Sequence, residues 1–330
     1  MKKTTALLLT LTVLLSLCIT VFAEGTEETV PEDMETVTIT KNYELTNPGT
    51  VSPAETFQFT LERTAVSDAA EGVTAENMPL PEIGSVSYNA GDAGGSTTAS
   101  RDITVTLPAY TSVGVYTYTI RETAGNTAGV TYFSKPITLK VTVIEADGKI
   151  RVAAVHTEAA GEAKSDNFPN TYSAGNLSFS KNVTGNLGDR SKYFKVTLTL
   201  TGDPDKTYAE SYSVTGGSDS RNPATVSVGS SAVFWVKHGE RITVNNLPYG
   251  VSYTVTEADY AAEGYSTSYS YSDDDKAISS AAESVGITNN KGVTVDTGIG
   301  TDSLPYIAAL VLVLFGLMLL PLRKHRSDNE

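Results

Sequence analysis

Covalent reinforcement of the usual kind is missing from this sequence. Its 330 residues include one cysteine, Cys18, and three scattered histidines, His156, His238 and His325. That set cannot build a zinc site, an iron–sulfur cluster or a Cys/His nucleophilic pair. Positive charge is also scarce: 24 Lys and Arg stand against 38 Asp and Glu, a net charge of −14. Affinity for phosphates comes mainly from Lys and Arg displacing counterions, so a nucleic-acid partner is excluded. No Gly-x-Ser-x-Gly, P-loop or paired-His signature appears, and stretches with helical period are almost absent. No cofactor and no metal site is expected, and no enzyme acting on an external substrate. The Asp273-Asp274-Asp275-Lys276 run lacks the spaced ligands of a calcium loop and reads as a solvated turn.

The chain ends are addresses. Lys2-Lys3, an apolar stretch from Ala6 to Phe22 and Val21-Phe22-Ala23 form a secretory signal over residues 1–23. Leu17 before Cys18 is too bulky for a lipoprotein signal. Cleavage after Ala23 leaves no cysteine in the exported chain, so disulfides cannot stabilise it. Residues 304–322 form an apolar run followed by Arg323, Lys324, His325 and Arg326. A helix rising ~1.5 Å per residue over that run just crosses a bilayer core, and the basic tail at 323–330 fixes it on the cytoplasmic side. Residues 24–303 then face outward, beginning with an acidic, unpatterned leader at 24–35.

Between these ends Thr, Val, Tyr and Ser alternate at period two, interrupted by Gly, Asn, Asp and Pro. The pattern predicts an all-β chain of sandwich class. Ile137 to Ile144 meets Ile150 to Val155 across Ala146-Asp147-Gly148-Lys149, a hairpin signal. The sequence also repeats itself. Thr-Ile-Thr-Lys-Asn at 38–42 with Phe-Gln-Phe-Thr-Leu at 57–61 recurs as Ser-Phe-Ser-Lys-Asn at 178–182 with Phe-Lys-Val-Thr-Leu at 194–198. Tyr-Thr-Ile-Arg-Glu at 118–122 recurs as Tyr-Thr-Val-Thr-Glu at 253–257, and Phe-Pro-Asn-Thr-Tyr at 168–172 has a looser counterpart at 287–291. Two related β-domains follow, 36–173 and 174–291, joined with almost no linker.

Strand parity puts three polar residues of each repeat on the apolar row, because residues two apart share a face. Lys41 continues Val37 and Ile39, and Lys181 continues Leu177 and Phe179. Glu122 aligns with Tyr118 and Ile120, and Glu257 with Tyr253 and Val255. Asn170 lies between Phe168 and Tyr172, while Asn289 follows Val285 and Ile287; Asn290 is a rival that parity disfavours. Burying such groups singly costs several kcal/mol per ion, about the effective penalty after relaxation. One resolution is a plain Lys–Glu ion pair hydrogen-bonded to Asn. The other is chemical: burial lowers the lysine pKa and raises that of the glutamate. A neutral amine beside a protonated acid can then attack the Asn carboxamide, release ammonia and leave a Lys–Asn isopeptide bond. Trp235 is expected to pack in the second core, and His238 to sit in a turn beside Gly239.

With these residues in view, the chain resembles the Gram-positive pilin shaft subunits built from immunoglobulin-like isopeptide domains. The run from Phe234 to Glu257, containing Ile242, Leu247-Pro248, Gly250, Tyr253 and Val255 before the glutamate, is similar to the collagen-adhesin B-type repeat. The resemblance implies two immunoglobulin-like β-sandwiches, with Lys41–Asn170 and Lys181–Asn289 crosslinked and Glu122 and Glu257 acting as proton shuttles. It also implies a sorting signal in the spacer 292–303. There a sortase thiolate would cleave between Thr297 and Gly298 and pass the acyl group to an amine. Asp296 stands where the usual signal has proline, which points to a dedicated pilin sortase; Leu304-Pro305 lacks the Thr-Gly pair. Lys164 is the implied polymerising lysine, with Lys149 as alternative. Implied partners are the sortase, other subunits of the same chain, peptidoglycan or a basal pilin, the membrane before sorting, and a host surface ligand. The implied location is the wall and surface of a Gram-positive bacterium. The rival function is a non-polymerised, anchored adhesin that binds a host ligand.

Overall fold

A computed structural model describes residues 33–93, 98–159, 164–294 and 304–324, the side chains of the last segment only from 305 to 315. The signal segment, most of the acidic leader, Thr297 with Gly298, and the tail from His325 lie outside the described residues.

The first half contains β1 (Thr36–Leu45), β2 (Glu55–Ser67), β3 (Glu82–Ile83), β4 (Val86–Tyr88) and β5 (Thr98–Thr106). It continues with β6 (Gly114–Thr123), β7 (Val130–Thr131), β8 (Ile137–Ala146), β9 (Lys149–Ala159) and β10 (Asn167–Tyr172). One sheet has the order β3-β5-β1-β10-β7 and the facing sheet β4-β2-β6-β8-β9. In β1 the side chains of Ile39, Lys41, Tyr43 and Leu45 are buried while Thr38, Thr40, Asn42 and Glu44 lie outward, as expected when a single face meets the core. The β8–β9 turn places Asp147 at φ 52° and Gly148 at φ 72°. Two positive φ values match the right-handed twist of the flanking strands, which is why Asp-Gly sits there.

The second half contains β11 (Ala174–Thr184), β12 (Phe194–Thr201), β13 (Tyr212–Gly216), β14 (Thr225–Val226) and β15 (Ser231–Val236). After these come β16 (Arg241–Pro248), β17 (Ser252–Glu257), β18 (Ser266–Tyr271) and β19 (Ala282–Asn290). The orders are β14-β13-β16-β11-β19-β18 and β15-β12-β17. Each half has its own apolar core, one including Ile39, Phe57, Tyr118 and Phe168 and the other Phe179, Val196, Phe234 and Ile287.

In both halves the first and last strands are parallel neighbours, β1 beside β10 and β11 beside β19. β1 and β10 run toward the second sandwich, and β11 and β19 run away from the first. Only Ser173 separates β10 from β11. The joint is closed on two sides. The Asn246 carboxamide accepts from Val51 N–H and donates to Val51 C=O, both at 2.8 Å. Asn47 Nδ2 donates to Ala174 C=O at 2.8 Å and to the Tyr249 hydroxyl at 2.6 Å. On the other side, Ala128 N–H donates to Thr207 C=O and Thr207 N–H to Asn126 C=O, each at 2.9 Å. A side chain at Gly129 would strike Ser173 C=O at 2.6 Å, so the close approach there requires glycine.

The structure corrects the expected placement of Trp235. Trp235 is only half-buried and faces outward, because Phe234 and Val236 take the core row of β15; its ring stacks on the Arg221 guanidinium at 3.9 Å. The end of the acidic leader is fixed: Asp33 accepts from Val152 N–H at 2.7 Å, and Glu35 C=O from Leu107 N–H at 2.8 Å. A helix spans Leu304–Lys324, and its described side chains are exposed. Among the described residues no helix is long and apolar enough to cross a membrane.

Candidate functional site

The two cores hold the same constellation in the same place. Lys41 lies on β1 opposite Phe168 of β10, and Asn170 is two residues further along that parallel neighbour. Lys181 lies on β11 opposite Ile287 of β19, with Asn289 again two residues on. A two-residue offset keeps both side chains on the inward face. Each glutamate arrives from the facing sheet, Glu122 at the end of β6 and Glu257 at the end of β17. Asn290, one residue further, is exposed and its side-chain oxygen accepts from the Thr184 hydroxyl at 3.1 Å.

In the first sandwich Lys41 Nζ donates to Glu122 Oε2 at 2.9 Å and to Phe168 C=O at 2.8 Å. Asn170 Nδ2 donates to Glu122 Oε1. Asn170 Oδ1 accepts from Phe133 N–H at 2.8 Å, so the carboxamide is gripped from both ends. The Phe57 ring lies 4.3 Å from the amine. Both the Lys41 and Glu122 side chains are 0% exposed. Burial pushes the Lys41 ammonium down to about 8, against the pull of Glu122, and raises the Glu122 carboxyl against the pull of Lys41. Both shifts favour passing the proton from nitrogen to carboxylate, giving a neutral amine beside a carboxylic acid.

The second sandwich repeats this with one part missing. Lys181 Nζ lies 2.6 Å from Glu257 Oε2, and Asn289 Nδ2 donates to Glu257 Oε1 at 2.6 Å, assisted by the Thr267 hydroxyl at 3.3 Å. Phe194 covers the amine at 4.3 Å. Burial again lowers the lysine pKa. Asn289 Oδ1 is buried without a hydrogen-bond partner among the described residues, and an unpaired buried polar atom costs about 1–3 kcal/mol. Among the described residues no N–H plays toward Asn289 the part that Phe133 plays toward Asn170.

The aromatic lids are visible in the repeat as Phe57 and Phe194. Phe133 and Thr267 carry no local signal, since what brings them in is the path of the loop after β7 and the position of edge strand β18. Lys164 is exposed in the segment between β9 and β10, and Lys149 is exposed at the β8–β9 turn. No cluster of three or more metal-ligating side chains occurs among the described residues. His238 sits in the β15–β16 turn and accepts from Val183 N–H at 3.0 Å.

Two tandem β-sandwiches, each with an amine, an acid and a carboxamide enclosed between its first and last strands, define the class. Comparison with known proteins supplies the family. Residues 37–173 match the Spy0128-like isopeptide containing domain, and residues 175–291 match a domain of unknown function, DUF7601. A pilin of Streptococcus pyogenes serotype M1 is 30% identical over 303 residues, 85% of this chain and 88% of that one. The crystal structure of the major pilin from Streptococcus pyogenes superposes with a TM-score of 0.55 at 26% identity, covering 78% of this chain and 99% of that chain. The pilus tip adhesin Cpa of Streptococcus pyogenes is 31% identical over 129 residues, 38% of this chain but only 18% of the adhesin. The chain belongs to the pilin family and is a structural subunit of a Gram-positive cell-surface pilus, where its partners are other pilin subunits.

Proposed function

We propose that each constellation reacts once, tying first strand to last, and that the tied subunits are then joined by a sortase into a covalent fibre. The observation that carries the reading is the duplicated placement of the reactants on parallel neighbours, with the acid delivered from the opposite sheet. Glu122, or Glu257, takes the lysine proton, and the neutral Nζ attacks the Asn carbonyl carbon. The Nζ–Cγ bond forms, the acid protonates the departing amide nitrogen, and the Cγ–Nδ2 bond breaks with loss of ammonia. The attacking nitrogen's second proton returns to the carboxylate. No external reactant is consumed, and no turnover on an outside substrate results.

A tie at this position matches the topology of a load-bearing rod. Tension entering at the acceptor Lys164 runs directly along β10, continues through Ser173 into β11, and leaves through Lys181 and Asn289, while the Lys41–Asn170 tie fixes β1 to the loaded β10. The strands between Lys181 and Asn289 carry none of it. Export through the signal over residues 1–23, transient anchoring by the apolar run at 304–322, and cleavage between Thr297 and Gly298 supply the assembly steps. Lys164 is the acceptor amine and Lys149 the alternative; both are exposed, as an incoming acyl-sortase requires. Wall attachment or joining to a basal pilin ends the fibre.

The test is a detergent gel of boiled surface extract. A ladder of covalent multimers is expected, and Lys164→Arg is expected to reduce it to monomer. A ladder unchanged by Lys164→Arg but lost with Lys149→Arg moves the acceptor to the hairpin. A single monomeric band in the unaltered protein sinks polymerisation and favours the anchored adhesin that binds a host ligand.

A further inference from the structure

The first core holds a second carboxyl that the tying reaction does not use. Glu55 opens β2 two residues before Phe57, so the two side chains share the inward face. Phe57 is the ring that lies 4.3 Å from the Lys41 amine. Next to Glu55 the rings of Tyr43, Phe57, Tyr88 and Tyr132 meet edge to face, with centroids 5.2 to 6.1 Å apart. Glu55 Oε2 is buried with no hydrogen-bond partner among the described residues. The Tyr132 hydroxyl accepts from Thr127 N–H at 3.2 Å, which leaves its own proton to turn toward Glu55.

The titratable side chains around Glu55 and Glu122 are Lys41, Tyr43 and Glu44 of β1, Tyr88 of β4, Tyr132 after β7 and Tyr172 of β10. Lys41 is the cation of that set. Beyond the Tyr88 ring, Arg101 and Asp92 neutralise each other at 2.6 Å. The internal repeat shows that the extra carboxyl belongs to one site only. Phe57 corresponds to Phe194, so Glu55 corresponds to Lys192, and Tyr43 corresponds to Val183. Lys192 Nζ lies 5.8 Å from the Phe194 ring that also covers Lys181, and it pairs with Glu263 Oε2 at 2.5 Å. An acid stands beside the first reacting pair where a paired cation stands beside the second.

A charge walled in by aromatic rings acts over several ångström because little water screens it. Burial raises the Glu122 carboxyl, and the charge of Glu55 adds to that rise against the pull of Lys41. The lysine responds to burial, to Glu122 and to Glu44. The field of Glu55 therefore falls on the acid end of the pair. It penalises the Glu122 anion, which moves the shared proton onto the carboxyl and holds it in the pair to higher pH.

We infer that Glu55 is a positioning residue for the first tie: its charge, set behind Phe57, keeps the shared proton on Glu122 and leaves the Lys41 amine free to attack Asn170. The inference rests on the tying reaction proposed above and adds a group that acts on it without touching the reacting atoms.

The full chain, taken unreacted from inclusion bodies in denaturant, is diluted into detergent buffers between about pH 6 and about pH 10. Quenched samples are digested, and the branched 41–170 peptide is timed against the 181–289 peptide of the same molecules. Glu55→Gln, of nearly the same shape, is expected to start the alkaline fall of 41–170 closure about one pH unit lower. Closure at about pH 9 is then about tenfold slower than in the parent. The 181–289 rate is expected unchanged, and Glu55→Asp, which keeps the charge, is expected to restore the parent's alkaline limb. A rate lowered equally at every pH, or a limb that does not move, overturns the role and leaves Glu55 to packing. Should Glu55→Gln not fold, the mirror change decides. Lys192→Glu with Glu263→Gln places an acid behind Phe194 and is expected to extend 181–289 closure to higher pH, and an unmoved limb there overturns the inference. A parent that folds yet never yields the 41–170 peptide sinks the tying reaction and the role with it, a result distinct from closure with an unchanged profile.

Discussion

Asn289→Ala removes the electrophile of the second sandwich and leaves the Lys181–Glu257 pair in place. The proposed tie between residues 181 and 289 would close a loop of about 110 residues, which by the chain-entropy relation would stabilise the folded domain by about 5 kcal/mol. The lost hydrogen bond from Asn289 to Glu257 adds about 1 kcal/mol. A domain of this size shifts its melting temperature by about 4–8 °C per kcal/mol, so the expected fall is about 25–45 °C. Scanning calorimetry of the purified chain, with intact mass on the same sample, makes the comparison. The variant is expected to lose one of the two ammonia deficits and to gain a low-temperature transition. Asn290→Ala, altering an exposed neighbour, is expected to keep both deficits and melt within a few degrees of the parent, as surface changes of about 0.5 kcal/mol do. If Asn289→Ala retains both deficits, or melts within about 5 °C of the parent, the entropic account of the tie is wrong.

The proposed closure of the first sandwich requires one proton shared by Lys41 and Glu122. The pair loses it as pH rises past about 8, where burial has brought Lys41, and gains a second as pH falls toward the raised range of Glu122. The rate after refolding is expected to be flat between those limits and to fall about tenfold per pH unit above pH 8; a rate still climbing at pH 10 contradicts the shared-proton mechanism. Phe133 N–H polarises Asn170 but among the described residues nothing equivalent polarises Asn289, and one such donor is worth about 10²–10³ in rate. Time-resolved peptide mapping is therefore expected to find the 41–170 link before the 181–289 link, and the reverse order removes that role from Phe133. Asn246→Ala deletes both hydrogen bonds to Val51, about 2 kcal/mol together. Looser coupling of the domains is expected as faster proteolysis near Val51 with both links intact, and unchanged cleavage there would count against the clasp. Arg221→Ala uncovers Trp235 and is expected to increase iodide quenching of its fluorescence at a stability cost of about 0.5 kcal/mol or less.

Much of the site is legible in the sequence because burial on a strand has period two. Lys41, Glu122, Lys181 and Glu257 each extend an apolar row, and such a row tolerates charge only when partners converge. The same rule separates Asn289 from Asn290, and it also contained the right answer for Trp235. Phe234 and Val236 mark the core row of β15, so the intervening tryptophan had to face out, whatever its hydrophobicity. What sequence alone could not supply is long-range. The Phe133 N–H reaches Asn170 across a loop, Thr267 reaches Glu257 from an edge strand, and the Val51–Asn246 clasp joins residues nearly two hundred positions apart. None of these contacts has a local periodicity or motif, because each is fixed by how the sheets stack and the domains meet.

The claim on which the account depends is that Lys41 and Lys181 are amides in the folded protein. High-resolution mass of the chain recovered from cells, followed by proteolytic mapping, reads this directly. The expected result is a deficit of two ammonia molecules, with branched peptides joining Lys41 to Asn170 and Lys181 to Asn289. A full unmodified mass, with both lysines recovered as free amines from folded material, would contradict it.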